Sequence, residues 1–233
     1  FALGDQIVDV VRDDSLRRGL PFRIGIRDSM PKSMVHRLIE PALRLERPGR
    51  LVCREAPLAE LLAELAVHRL DLVIADRPIP PEVSVRGHEH LLGESTLSVF
   101  AAPVLAERLQ GGFPRMLDGA PFLLPGEDVA HRGALLQWFE RMRIRPAIAA
   151  EFDDSALMKA FGQAGDGVFA APTTIADYVC RQYGVRLLGE VPDARARVFA
   201  ITTERRLSHP AMQAIRERAA HALTQADAAG AGT

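Results

Sequence analysis

The chain has 233 residues, a formal charge of −1, 48% hydrophobic and 25% charged residues, the make-up of an ordinary globular protein long enough to bury a core. The near-zero charge argues against a module that grips nucleic acid by itself, because neutralised phosphates supply most of that affinity. Cys53 and Cys180, each within an apolar stretch, are too few for a disulfide framework and read as buried thiols.

Residues 1–20, FALGDQIVDVVRDDSLRRGL, place Leu3, Ile7, Val10 and Val11 on one face at helical spacing, with Gly19 and Pro21 as stop signals. The first residue is Phe1, and the start lacks the basic region and apolar core of a signal peptide. No apolar run approaches the roughly 20 residues that span a bilayer, so a cytoplasmic protein with no membrane partner is expected.

From Pro21 short β-rich runs alternate with helical stretches: FRIGIR (22–27), a helix from Pro31 to Leu45, LVCRE (51–55), a helix from Pro57 to about Val67, and LDLVIA (70–75). Two further strands, VSVRGHEHLL (83–92) and STLSVFAA (95–102), are separated by Gly93 and Glu94. After a helix near 103–109 the alternation restarts with FLLP (122–125), a helix over 131–142, AIAAEF (147–152), a helix over 154–164, GVFAAP (167–172) and a helix from Thr173. RLLGEV (186–191) and ARVFAITT (196–203) follow, then a closing helix from Ser208 to about Leu223, with Ser208 as its cap and Pro210 in its first turn. A βα pattern that runs twice predicts an α/β protein of two Rossmann-like lobes joined by a double strand crossover, with a cleft at the carboxyl ends of the strands. The expected lobes are residues 21–96 plus 203–233, and residues 97–202.

The chain contains no G-x-S-x-G, Walker, G-x-G-x-x-G or H-E-x-x-H motif, so catalysis is not supported and no cofactor is expected. His88 and His90 share one strand face but lack a third ligand nearby and read as polar alternation on an edge. The strand-end loops carry Asp28 and Ser29, Asp76 and Arg77, Asp128, and Asp153, Asp154 and Ser155. Each aspartate alone reads as a helix cap. Together they would form an acidic rim with Arg77 and Arg132 against it, and carboxylates of that kind suit a hard cation.

FRIGIRDSMP, LLAELAVHRLDLVIADRPI, GDGVFAAPT and LSHPAMQAI resemble the effector-binding domain of LysR-type transcriptional regulators over residues 1–225. The resemblance implies a periplasmic-binding-protein-like fold of type 2, with residues 1–20 as the end of a linker helix. It also implies an N-terminal winged helix-turn-helix outside this sequence, through which alone operator DNA would be bound, and a homodimer or homotetramer. It places Asp28, Ser29, Ala56, Asp76, Arg77 and Asp153 to Ser155 where relatives contact effectors. Within the family, DSMPK, LDLVIADRPI, LLPGED, EFDDSALMKAFG and HPAMQAI are similar to an activator of sodium/proton antiporter genes that responds to sodium or lithium. The alternatives are a regulator answering a small organic metabolite and a two-lobe solute-binding protein.

Overall fold

The computed structural model describes residues 21–45, 50–204 and 209–224. Strand β1 (Phe22–Arg27), helix α1 (Lys32–Leu43), β2 (Leu51–Ala56), α2 (Leu58–Ala66) and β3 (Leu72–Ala75) come first. Strand β4 (His88–Ala101) leads to the short α3 (Pro103–Ala106), β5 (Pro121–Pro125), α4 (Arg132–Met142), β6 (Ala147–Phe152), α5 (Ser155–Ala164) and β7 (Val168–Pro172). Helix α6 (Ala176–Tyr183), β8 (Arg186–Thr202) and α7 (Pro210–Thr224) close the chain.

One sheet holds the eight strands in the order β2-β1-β3-β8-β4-β7-β5-β6. Three parallel strands flank each side of a central antiparallel pair, and each set has its first strand in the middle. Parallel neighbours require helical crossovers, and the apolar spacing supplies them. Helix α1 buries Met34, Val35, Leu38, Ile39 and Ala42; α2 buries Leu58, Leu61, Leu62 and Leu65, both at helical period. The sheet is covered on both faces, so neighbouring residues serve different cores: Leu72 and Ile74 join one cluster, Val73 and Ala75 another.

Several expectations are corrected. The two strands predicted over 83–102 are one strand, because the break at Gly93 is absorbed as a register shift between Leu91 and Gly93. The same holds for 186–203, where β8 passes Pro192 without ending. Its pairing with β4 jumps from Val191 to Arg195, so the proline sits where no ladder hydrogen bond is asked of it. The helix expected to 109 stops at Ala106, and the one expected from Thr173 opens with a 3-10 turn, Thr173–Ile175. Asp28 and Ser29 do not cap α1: its N-cap is Pro31 and receives no side-chain hydrogen bond. Residues 1–20 and Ser208 lie outside the described residues. Near the start of α7 the Ala211 N–H donates to His209 Nδ1 at 3.1 Å, and the His209 ring stacks on Phe22 at 4.4 Å between centroids.

Candidate functional site

Parallel strands present the ends of their backbones on one side, and the loops after β1, β3, β5, β6 and β7 meet there. Ser29 and Pro31 from the first half and Pro125, His131, Phe152, Ser155 and Lys159 from the second line a common hollow. It encloses about 330 Å³ of space, open to solvent.

Beside the hollow the two halves are tied by charge. Arg27, at the end of β1, is 4% exposed and pairs with Asp76, whose side chain is 10% exposed. Arg27 Nη2 also donates to the Asp128 carbonyl at 2.6 Å, and Arg77 Nη2 donates to the same carbonyl. The other oxygen of Asp76 accepts from Ser29 Oγ at 3.2 Å and from the Ala130 N–H at 3.3 Å. Asp76 thus serves a buried cation, a hydroxyl and a backbone donor from the opposite half. A buried ion pair is tolerable only when its remaining donors and acceptors find partners, as Arg27 Nη2 and the second Asp76 oxygen do here. Further along the seam, Arg37 of α1 donates to the Thr174 carbonyl at 2.7 Å. A half-buried hydroxyl chain runs from Thr96 and Ser98 on β4 to Thr173, at 2.8 Å in both cases.

The expected site residues divide into groups. Ser29, Asp153 and Ser155 line the hollow. Asp76 and Arg77 stand beside it in the tie between halves. Ala56, 7% exposed, ends β2, and its carbonyl accepts from the Asp28 N–H at 3.3 Å. Asp28 turns its carboxylate on the Ser29 N–H at 2.9 Å. Asp128 contributes its carbonyl inward while its carboxylate is 89% exposed. Asp154 caps α5, with Oδ1 accepting from the Ala156 and Leu157 N–H groups at 2.7 Å each. The five aspartates therefore do not converge on one point as an acidic rim would require. Among the described residues no three histidine, cysteine or acidic side chains are placed to hold a metal ion. Arg132, expected to oppose the aspartates, pairs with Glu151 at 2.7 Å.

Sequence reasoning missed three residues. Arg27 was read only as the end of a strand, and nothing distinguishes it among 27 arginines. His131 lines the hollow, and burial lowers its imidazole to about 4, Asp76 opposing and Lys159 adding to the shift. The ring is neutral at pH 7. Lys159, 4% exposed, lines the same hollow; burial pulls its amine down to about 8, with Asp154 acting the other way. A signal for Lys159 did exist, since it is one of only two lysines in the chain, with Lys32.

Comparison with known proteins agrees with this architecture. The family model of the LysR substrate binding domain matches residues 18–224. The chain is 32% identical over 217 residues to the transcriptional activator protein NhaR of Escherichia coli (strain K12), covering 92% of this chain and 70% of that protein. The NhaR protein of Shigella flexneri matches with the same figures. Among solved structures, the effector binding domain of QuiR in complex with shikimate superposes with a TM-score of 0.62 at 16% identity, covering 88% of this chain and 97% of that one. CbnR, a LysR family transcriptional regulator, gives a TM-score of 0.68 at 14% identity, over 94% of this chain and 75% of the other. Likenesses at such identities speak for the fold alone.

Proposed function

The chain belongs to the LysR substrate-binding domain family, and from that premise we propose that it senses a small effector in the hollow between its halves and passes the resulting rearrangement to a DNA-binding segment of a transcriptional regulator. The observation that carries this reading is the hollow itself, formed by strand-end residues of both parallel sets. Any ligand there touches both halves at once. Such a ligand binds one arrangement of the halves better than another, and only that difference can shift the equilibrium between them. The proposed lobes are residues 21–96 with 203–233, and residues 97–202; β4 crosses from the first into the second, and β8, within the second, pairs with β3 of the first. Operator binding through an N-terminal winged helix-turn-helix, and assembly into homodimers or homotetramers, belong to the same proposal.

A response to sodium or lithium follows from the likeness to an antiporter-gene activator. Within the hollow it would need several oxygen ligands to converge, whereas Asp76 and Asp154 are occupied and a lysine lines the wall. The geometry favours the other version, a small organic metabolite.

Melting temperature measured with sodium, lithium and potassium salts and with a metabolite panel tests both versions, because a ligand of the native state raises stability by mass action, about 2.7 kcal/mol at a hundredfold excess over Kd. A rise with an organic metabolite is expected. A rise specific to sodium or lithium would restore the cation version, and no rise with any solute would count against effector sensing by this hollow.

A further inference from the structure

Lys159 is the feature that the fold leaves unexplained. Its side chain is buried, and among the described residues its one hydrogen bond goes to the Ser155 carbonyl, a turn earlier in its own helix, at 2.9 Å. An ammonium has three protons to donate, so two are unused. No ion pair with a carboxylate is formed among the described residues. Asp154, the acidic group that acts on it most, spends its carboxylate on the N-terminus of α5. Buried charges are ordinarily paired, because an isolated one loses its hydration and gains nothing in return. Arg27, the other buried cation at this seam, has its partner in Asp76.

We propose, resting on the reading of this hollow as the effector site, that it takes a small monoanionic group, a carboxylate or a halide, whose charge is met by the ammonium of Lys159. Three further observations point the same way. The Ser29 and Ser155 side chains share the hollow, and hydroxyls donate to anions. Asp153 stands at the exposed mouth and disfavours a group with more than one negative charge. The narrow space admits a compact group, and a compact point charge is what distinguishes lysine from the forked guanidinium. In a chain with 27 arginines, both lysines stand at this end of the sheet. Lys32, next to Pro31 of the hollow, is already paired with Glu55 at 2.5 Å, which leaves Lys159 as the uncompensated one.

Having two lysines makes the test direct. The 233-residue chain labelled at lysine shows one amine resonance each from Lys32 and Lys159, and pH titrations are run with acetate or chloride as sodium, potassium and lithium salts. Acetate or chloride is expected to lift the midpoint of the Lys159 amine by about one pH unit, the mark of an opposite charge close by. Lys32 should stay in place, and the melting temperature should rise with the anion whatever the cation. The rise in melting temperature should vanish in Lys159→Met and in Lys159→Gln. Acetate alone acting identifies an organic acid as the source, chloride alone an inorganic ion. Stabilisation that follows the cation, or that survives in both variants, overturns the anion assignment while leaving the hollow as an effector site. An unmoved Lys159 midpoint with every salt also overturns it; the wider metabolite panel then decides separately whether the hollow senses anything.

Discussion

A lysine that is 4% exposed and, among the described residues, lacks a carboxylate partner weakens the fold, and its titration gives that cost a sign. Burial lowers the amine from 10.5 to about 8, so the unfolded chain holds the proton to a higher pH than the native one. Stability rises with pH wherever the unfolded state binds more protons. The penalty is therefore present in full below about pH 8 and is relieved between about 8 and 10.5. Replacing Lys159 by Met should stabilise the protein at pH 7 by about 3 kcal/mol, at roughly 1.36 kcal/mol per pH unit. Urea unfolding of both proteins at pH 7 and at pH 10 checks this: the gap should narrow sharply at the higher pH, and a constant gap would mean that packing, not charge, separates them. The chemistry of acidic loops is visible in a sequence because carboxylates cluster at strand ends. Which of them is already spent is not, and that is why Asp76 and Asp154 looked as available as Asp153.

Helix α5 shows how far local rules reach at the scale of an element. Asp154 was expected both to start the helix and to face the cleft; its carboxylate does the first, accepting two N–H groups at 2.7 Å each. Loss of such a cap costs about 1 kcal/mol. Asp154→Ala should lower urea-unfolding stability by about that much with little effect on effector response, and Asp153→Ala, at the exposed mouth, should do the reverse. Equal stability losses in the two variants would contradict the division of roles. The helix ends at Gly165, whose φ of 90° is the left-handed turn that glycine adopts without penalty. Inside it, Gly162 lies so close to Phe169 of β7 that a Cβ would meet the ring at 2.2 Å, which lets helix and sheet approach. Periodicity placed α5 to within a residue because it is a local property. It failed at Gly93 and Pro192, usual strand breakers, since bulges in a long antiparallel pair accommodate both.

For the whole molecule, the tie between halves is the structural decision that matters. Asp76 holds Arg27 and Ser29 of its own half and the Ala130 N–H of the other. Arg27 and Arg77 converge on the Asp128 carbonyl from across the seam. Removing one member of a buried pair strands the other's charge, at a cost of about 3–5 kcal/mol. Asp76→Ala should therefore lose about that much in urea unfolding, well beyond the effect at Asp154; a loss below 1 kcal/mol would show that water reaches Arg27 and that the tie is weak. By itself the sequence determined the alternation of strands and helices, its repetition, the strand-end position of the acidic loops and the family, because periodicity, turn residues and motif blocks act over a few neighbouring positions. Tertiary structure alone decided which charges are paired. Arg27 finds Asp76 across 49 positions and the Asp128 carbonyl across 101, while Lys159 finds no carboxylate among the described residues. Electrostatic partnership depends on distance in space and on exclusion of water, and neither is fixed until the halves close on each other.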